Sequence, residues 1–257
     1  MAEQIYHSQH GEDALLLQVF DAPGYFAEIG AVDGLYLTNT LALEKAGWHG
    51  MLVEAHPLLF VELQANRPEA ALCHAAVADK AGALTFYATQ EGSLSTFDPD
   101  QRDYFIKNRS EVNANSYTEY PVRAATITQL LQEVGAPKVI DVMSIDIEGA
   151  ELPALRGFDF EQYDARVLMV EKDDARAKQA IELEIAALLT SKGYKVARRL
   201  GPNDFWVKEP ELAQKLTNAH VRATLQNGST VDFPPGVSAK KRGFWKRISD
   251  SVKKRVG

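Results

Sequence analysis

Short apolar runs alternate along most of this chain with segments in which apolar residues recur every three to four positions. The runs predict strands at 25–29, 51–54, 72–77, 84–87, 139–147 and 166–171. The periodic segments predict helices over 12–20, 37–46, 57–66, 127–133 and 175–192, and one that begins at about Glu151. Strands that alternate with helices predict a mostly parallel sheet covered by helices on both faces.

The pattern changes near the end of the chain and at one place in its middle. Strands 194–198 and 204–207 are joined by a turn at 201–203, which is too short for a helix and predicts an antiparallel hairpin at the sheet edge. Residues 100–119 are polar and weakly patterned, which predicts an irregular insertion between a loop at 92–97 and a short extended piece at 120–124. A helix over 211–226 and a turn-rich segment follow.

The composition predicts one globular domain with additions. The chain has 257 residues, of which 46% are hydrophobic, so it is long enough for a sizeable core. Its single cysteine, Cys73, excludes an internal disulfide and lies in an apolar run, which predicts a buried thiol. We expect a reducing, cytoplasmic setting, because the sequence also lacks a signal-peptide pattern and a long apolar run.

The charge is divided unevenly between a body and a tail. The net charge is −7, and residues 240–257 contain eight basic side chains and one acid, so that the remaining body carries −7 − 7 = −14. An acidic body argues against general nucleic-acid binding. In the tail, Phe244, Trp245 and Ile248 fall on one helical face among basic residues. This pattern favours an anionic membrane surface, over docking on an acidic partner or a disordered end.

Two strand ends carry the candidate chemistry. The first strand leads from Glu28 into a turn with Gly30 and Gly34, where glycines let the backbone approach a ligand closely. The second strand ends in Glu54, and an acid in that position is placed to bind both hydroxyls of a ribose. Together they predict a site for a nucleoside-containing cofactor.

Six motifs then occur in a specific order and spacing. They are Ser8–Asp13, Glu28–Gly34, Val53–Pro57, Ala75–Val77, Ser144–Glu151 and Leu155–Gly157. With these motifs, residues 6–208 resemble S-adenosylmethionine-dependent methyltransferases of the FkbM type. The resemblance implies a class I methyltransferase fold: an α/β, Rossmann-like three-layer sandwich whose seven-stranded, mostly parallel sheet has an antiparallel final strand. It also implies S-adenosyl-L-methionine as methyl donor and a hydroxyl acceptor, on a small molecule, a sugar or a glycan.

The resemblance further implies roles for individual residues. Glu28 and Gly30 would lie beside the methionine half of the cofactor, Glu54 at the ribose, and Asp146 near the sulfonium and the acceptor. The implied set of cofactor-binding residues is Gln9, Glu28, Gly30, Asp33, Gly34, Asn39, Glu54, Ala55, Ala76, Val77 and Asp146. Val32 replaces the usual middle glycine of the first motif, and Lys172-Asp173 replaces a His-Asn-like pair after Glu171, which leaves the acceptor side open.

A hydroxyl acceptor must lose its proton during methyl transfer, so a base is expected. Asp146 and Glu171 are the catalytic candidates, and Glu148 and His74 are further possible bases. Asp146 leads because its strand end faces the usual ligand crevice of such sheets. The alternative is that Asp146 only fixes the cofactor or a loop. Asp146 and Glu171 are also a candidate Mg²⁺ site, since neighbouring carboxylates supply the oxygen ligands that this ion prefers.

Several polar residues admit two interpretations. Glu12 and Asp13 either favour a helix N-terminus or lie over the cofactor. Residues 93, 95 and 96 form an ordinary polar loop or bind the acceptor. His7, His10, His49, His56 and His74 match no metal-ligand spacing, and His56 is predicted to lie on the surface because it precedes a proline.

The sequence predicts four segments and one leading function with two alternatives. The segments are a helical lead-in at 1–22 that contributes to the cofactor site, a methyltransferase domain at 23–210, an extension at 211–239 and the basic tail at 240–257. The leading function is O-methyl transfer, with peripheral association at the inner membrane face through the tail. The alternatives are a nicotinamide-dependent oxidoreductase, whose glycine fingerprint is missing, and a catalytically silent recruitment module.

Overall fold

The structure is a computed structural model that describes residues 5–92, 94–172 and 179–236. Its strands are β1 (Ile5–Tyr6), β2 (Tyr25–Ile29), β3 (His49–Glu54), β4 (Ala71–His74), β5 (Ala76–Val77), β6 (Gly82–Thr89), β7 (Tyr117–Ala125), β8 (Val139–Ile145), β9 (Asp164–Glu171), β10 (Lys195–Leu200), β11 (Asn203–Val207), β12 (Val221–Leu225) and β13 (Thr230–Phe233). Its α-helices are α1 (Glu12–Val19), α2 (Leu41–Lys45), α3 (Pro57–Asn66), α4 (Pro99–Asn108), α5 (Ile127–Glu133), α6 (Glu151–Arg156), α7 (Gln179–Ser191) and α8 (Pro210–Asn218). A 3₁₀ turn at Ala114–Ser116 precedes β7.

The central sheet has seven strands in the order β4-β3-β2-β8-β9-β11-β10. Only β11 runs against its neighbours among these strands, so the predicted class I methyltransferase fold is confirmed. Ile29 pairs with Val53 on one side and with Ile145 on the other. This register places the carboxyl ends of β2, β3 and β8 level with one another, at the edge where ligands bind in such sheets.

Each central strand is buried on both faces, which explains its continuous apolar run. In β2, Phe26 packs into one core with Leu52 and with Leu15 of α1. Ile29 packs into the opposite core, which helices α5, α6 and α7 cover. The sheet therefore supplies a rigid platform whose polar residues are concentrated at its ends.

Residues 100–119 are not an irregular insertion, so that prediction was wrong. They contain most of α4, the 3₁₀ turn and the start of β7. The start signals of α4 were present in the sequence: Asp98 caps the helix by accepting from the Asp100 N–H, and Pro99 occupies its first turn. The segment lacked an apolar stripe, because the small sheet β5-β7-β6 supplies most of the local core.

Two other boundaries differ from the sequence predictions. The helix predicted at 37–46 is limited to α2, because residues 38–40 instead hydrogen-bond to Glu28. The strand predicted at 72–77 divides into β4 and β5, and β5 leaves the central sheet to pair with β7. In contrast, the predicted bounds of β2, α3 and α5 match the structure.

The predicted helix over 211–226 was wrong after residue 218. There the chain forms α8 and then β12 and β13, and β12 also pairs with β1 from the lead-in. The buried Arg198 guanidinium donates to the carbonyls of Leu216 and Phe233, which fastens this extension to β10. The first and last described segments thus pack together against the central sheet.

The basic tail lies outside the described residues. Within residues 5–92, 94–172 and 179–236, no helix combines the length and the apolar character needed to cross a membrane.

We predict that the extension unfolds together with the central sheet. Leu216 is fully buried in the core that contains Phe26, so Leu216→Ala should lower the free energy of unfolding by about 2–5 kcal/mol in a urea titration. The matched control is Leu183→Ala on α7, where the side chain is 65% exposed, and we expect a change under about 0.5 kcal/mol. A separate early transition for the extension, with the main transition unchanged, would contradict this view.

Candidate active site

A cavity of about 850 Å³ lies at the carboxyl ends of the central strands. Its wall includes the ends of β2, β3, β8 and β9, the segment around Gln9, residues 36–39 and 75–77, and the outer structure from β6 to β7. The predicted site residues on this wall are Gln9, Glu28, Gly30, Asn39, Glu54, Ala55, Ala76, Val77, Asp146 and Glu171. Residues far apart in sequence are therefore brought to one space.

Glu28 accepts hydrogen bonds from three consecutive residues of the chain. Its Oε1 accepts from the Asn39 backbone N–H at 2.7 Å, and its Oε2 accepts from the hydroxyls of Thr38 and Thr40 at 2.8 and 2.6 Å. Burial raises the pKa of Glu28, against the opposing effects of the nearby Arg67 charge and of these hydrogen bonds. Glu28 thus fixes residues 38–40 along the cavity wall rather than presenting a free carboxylate.

A buried cation supports the same segment from behind. The Arg67 side chain is fully buried and forms an ion pair with Glu44 at 3.0 Å. Its guanidinium also donates to the Gly34 carbonyl at 3.1 Å and to the Thr40 hydroxyl at 3.2 Å. The threonine hydroxyls therefore connect the Glu28 carboxylate to a charged partner, which offsets part of the cost of burying it.

Glu54 lies at the end of β3, as the sequence predicted. Its two oxygens accept from the backbone N–H groups of Val32 and His56, each at 2.7 Å. Burial raises the pKa of Glu54 to about 7, although these hydrogen bonds act in the opposite direction. The register pairs Glu28 with Leu52, two residues before Glu54, so both acids leave the sheet on the same side.

Gly30 lies where two strand ends approach each other closely. A Cβ atom there would be 2.0 Å from the backbone oxygen of Asp146, and the residue has a φ of 92° in the left-handed region. Its N–H donates to the Val53 carbonyl at 2.9 Å. Glycine is therefore required at this position both for space and for backbone conformation.

Asp146, Glu148 and Glu171 form an acidic cluster in the same cavity. One carboxylate oxygen from each residue lies within 4.8 Å of one from each of the other two. Burial and the negative charges of Glu148 and Glu151 raise the pKa of Asp146, whereas a hydrogen bond with Glu171 lowers it. A raised pKa increases the affinity of the ionised carboxylate for a proton, and a general base needs a pKa near the working pH.

Glu12 and Asp13 do not line the cavity but shape the segment that does. Both are fully buried: Glu12 accepts from the His10 N–H and the Asn203 amide, and Asp13 accepts from the N–H groups of His7 and Ser8. Burial raises the pKa of Asp13 to about 6. Both acids thus position the segment in which Gln9 lines the cavity.

Asp33 and Gly34 were predicted to contact the cofactor, but they lie outside the cavity wall. The Asp33 carboxylate accepts from the N–H groups of Leu35 and Tyr36, and a Cβ on Gly34 would be 2.6 Å from Arg67 and Leu63 side-chain atoms. The turn they form carries Val32, itself at a φ of 53°, against Glu54. Their observed contacts are those of turn residues.

Two other residues differ from their predicted places or roles, and a third matches its prediction. His56 was predicted on the surface but is buried, because its imidazole caps α3 and lines the cavity. His74, a candidate base, is directed away and stacks on Phe60. Cys73 is buried as predicted, and burial raises its pKa to about 11.

Residue 95, one of the loop residues considered for acceptor binding, lies in the outer wall, and residue 93 lies outside the described residues. The rest of this wall was not predicted. The outer wall is built by Phe86, Ala88, Leu94, Ser95, Phe97, Arg109, Glu111, Val112, Asn115, Ser116, Thr118 and Tyr120. Ser95 is buried and accepts from the Thr89 N–H, and Thr96 pairs with Tyr87, so both have structural contacts. The Asp98-Pro99 start of α4 was the signal that could have revealed this wall from the sequence.

The charge of the cavity suits a cationic nucleoside. Seven acids line it, namely Glu28, Glu54, Glu91, Glu111, Asp146, Glu148 and Glu171, whereas Arg109 is the one Lys or Arg among its described lining residues. Small apolar residues, Ala55, Ala76 and Val77, line another part, which fits a flat base. The residues present therefore fit S-adenosylmethionine, whose sulfur is positively charged.

Comparison with known proteins gave one family and several relatives. The model of the family described as "Methyltransferase FkbM domain" matches residues 28–196. The curated protein "Methyltransferase 1" of Beauveria bassiana is 31% identical over 124 residues, which are 46% of this chain and 49% of that protein. This chain thus aligns with about half the length of that relative.

Solved structures are similar at lower identity. An O-methyltransferase from Bacillus cereus in complex with SAH is 12% identical, with coverage of 80% and 81% and a TM-score of 0.43. A TehB-like SAM-dependent methyltransferase from Corynebacterium glutamicum is 12% identical, with coverage of 78% and 88% and a TM-score of 0.42. The roles of individual residues consequently rest on the geometry of the cavity itself.

We predict that S-adenosylhomocysteine binds more tightly as Glu54 ionises. An ionised carboxylate accepts hydrogen bonds from ribose hydroxyls better than a protonated one does. With a pKa of about 7, Glu54 is mostly protonated at pH 6 and mostly ionised at pH 8, so calorimetry should give about tenfold tighter binding at pH 8.

The Glu54→Gln variant should bind more weakly and lose this pH dependence. The exposed Glu62→Gln on α3 is the matched control and should retain the wild-type profile. An unchanged slope in Glu54→Gln would assign the titration to another group.

Proposed function

This chain belongs to the methyltransferase FkbM family, and we propose that it transfers a methyl group from S-adenosylmethionine to a hydroxyl oxygen. Its domain at residues 28–196 is an S-adenosylmethionine-dependent methyltransferase domain. The observation that supports transfer to oxygen is the acidic cluster at Asp146 in the cavity that also contains Glu54. Family membership favours methyl transfer over the nicotinamide-dependent alternative.

Each part of the cofactor has a candidate partner in the cavity. Glu54 would accept from the ribose hydroxyls, while Ala76 and Val77 would contact the adenine. Gly30 would border the methionine half, where its lack of a side chain lets the ends of β2 and β8 approach each other closely. S-adenosylmethionine supplies a methyl group on an already activated sulfur, so the protein has mainly to align and desolvate the acceptor.

We assign Asp146 the role of base. An alcohol is a weak nucleophile, and removing its proton during attack accelerates the reaction by about 10²–10⁴-fold. Burial and the charges of Glu148 and Glu151 raise the proton affinity of Asp146. Glu171 shares a hydrogen bond with it, so it supports the orientation of Asp146 and can stabilise the transferred proton.

The acceptor is proposed to be a sugar, a glycan or another polyhydroxylated small molecule. The outer wall offers hydroxyl and amide groups on Ser116, Thr118 and Asn115, beside the aromatic rings of Phe97 and Tyr120. Polar side chains next to aromatic faces suit a ring with many hydroxyls and an apolar face. The acid-rich wall disfavours a strongly anionic acceptor.

One observation also favours a divalent cation as a further component of the active site. Asp146, Glu148 and Glu171 offer three oxygen ligands close together, whereas the sequence had suggested two. Bound there, Mg²⁺ would stabilise negative charge on an acceptor oxygen. Loss of activity in EDTA that Mg²⁺ restores would support the cation, and full activity in EDTA would remove it from the proposal.

We predict that Asp146→Asn lowers the rate of methyl transfer by about 10²–10⁴-fold, because the amide cannot accept the acceptor's proton. The assay follows labelled methyl from S-adenosylmethionine into fractionated cell extract. The exposed Asp21→Asn is the control. A parallel loss of S-adenosylhomocysteine affinity would instead make Asp146 a cofactor-fixing residue, and no transfer by the wild type to any fraction would favour a silent module.

We also propose that the tail at 240–257 binds anionic membranes, on the basis of its charge and its apolar face in the sequence. The double variant Phe244→Ser and Trp245→Ser keeps every charge, so it should cosediment less with phosphatidylserine vesicles than the full-length wild type does. Neutral phosphatidylcholine vesicles are the control surface. Equal sedimentation of both proteins would remove the apolar face from the interaction.

A further inference from the structure

His56 joins two parts of the cavity that the sequence places far apart. It follows Glu54 at the end of β3 and immediately precedes α3, and its side chain is 3% exposed. The described residues of the β6–α4 loop (90–92 and 94–98) follow Thr89, and several of them line the cavity. The imidazole contacts both structures.

One ring nitrogen of His56 belongs to the cofactor half. Nδ1 accepts from the N–H groups of Leu58 and Leu59 at 3.2 and 3.4 Å, which caps the N-terminus of α3. Pro57 keeps His56 out of the helical conformation, and the observed φ of −71° and ψ of 116° suit a capping residue. The backbone N–H of the same residue donates to Glu54.

The other ring nitrogen belongs to the outer wall. Because Nδ1 accepts, Nε2 carries the proton, and it donates to the Thr89 carbonyl at 2.9 Å. Burial lowers the pKa of His56, which favours this neutral form. The ring also meets Phe86 edge-on, with centroids 6.2 Å apart.

Thr89 is in turn the anchor of the β6–α4 loop. Its N–H donates to the Ser95 hydroxyl at 2.9 Å, and Thr96 exchanges backbone hydrogen bonds with Tyr87. The loop supplies Leu94, Ser95 and Phe97 to the wall. Glu54 accepts from the His56 backbone, and Nε2 of His56 donates to Thr89. His56 therefore connects the carboxylate proposed to bind the ribose with the loop that faces the acceptor.

We propose that His56 is a positioning residue that couples the cofactor half of the cavity to the β6–α4 loop. Glu54 holds the His56 backbone, and the His56 ring holds Thr89, so a ligand that engages Glu54 stabilises the loop through this connection. The coupling rests on the proposed function, since it needs a nucleoside ligand at Glu54.

Two variants separate the two ring nitrogens. His56→Asn keeps an acceptor near the place of Nδ1 and so keeps the helix cap, but its shorter side chain cannot donate to Thr89. His56→Gln places an amide donor near the place of Nε2 but weakens the cap. The pair changes one contact at a time, at a single buried position.

Amide hydrogen exchange of the free full-length proteins gives the first readout. In His56→Asn, the amides of Thr89, Ser95 and Thr96 should exchange about two- to tenfold faster than in the wild type, while those of Leu58 and Leu59 change little. His56→Gln should show the reverse pattern. Wild-type exchange at Thr89, Ser95 and Thr96 in His56→Asn would overturn the proposal, as would equally fast exchange there in both variants.

Addition of S-adenosylhomocysteine gives the second readout. It should slow exchange at Ser95 and Thr96 in the wild type and in His56→Gln, and this protection should be lost in His56→Asn. Protection that persists in His56→Asn would overturn the coupling. If the wild type binds no S-adenosylhomocysteine, the proposed function fails, whereas the exchange of the free proteins still decides whether His56 holds the loop.

Discussion

The arrangement of the site depends on one buried carboxylate, that of Glu28. Its oxygens accept three hydrogen bonds from residues 38–40 and leave few acceptor positions for a ligand. The carboxylate therefore acts mainly by ordering a segment that has no helix or strand of its own at those residues. Asn39 is directed onto Ser144 as a result, and the ends of β2 and β8 are joined by a side chain as well as by backbone pairing.

Burial raises the proton affinity of the acids in the cavity, and it also costs folding free energy. Glu28, Glu54 and Asp146 all have raised pKa values because they are removed from water. Desolvation of the negatively charged form therefore costs folding stability, which falls as the pH rises from the ordinary carboxyl pKa to these raised values. A positively charged cofactor would offset the repulsion between neighbouring acids and so reduce this cost. The cavity is thus organised for a positive ligand before the ligand binds.

The fold could be predicted from the sequence where a single physical pattern dominated. Continuous apolar runs located β2, β8 and β9, and the proline at the start of α3 fixed that helix. Prediction failed where tertiary contacts replaced the local pattern. Residues 38–40 have a helical pattern, yet they hydrogen-bond to the buried Glu28 carboxylate. The half-polar α4 has no apolar stripe because it packs little of its surface.

Site prediction followed the same division. The acids at strand ends could be placed in one cavity, because parallel strands share a carboxyl edge. The sequence did not show that Asp33 and Gly34 lie outside the cavity wall, because residues that form a turn and residues that contact a ligand have the same sequence pattern there. The role of His56 was also hidden, since the preceding-proline rule describes its backbone and says nothing of a carbonyl 33 positions later.

The most direct test is a crystal structure of the full chain with S-adenosylhomocysteine. We expect both ribose hydroxyls to donate to Glu54, the adenine to lie against Ala76 and Val77, and the sulfur to lie between Gly30 and Asp146. A ligand bound with its ribose away from Glu54, or a cavity left empty at saturating ligand, would contradict the proposed cofactor site.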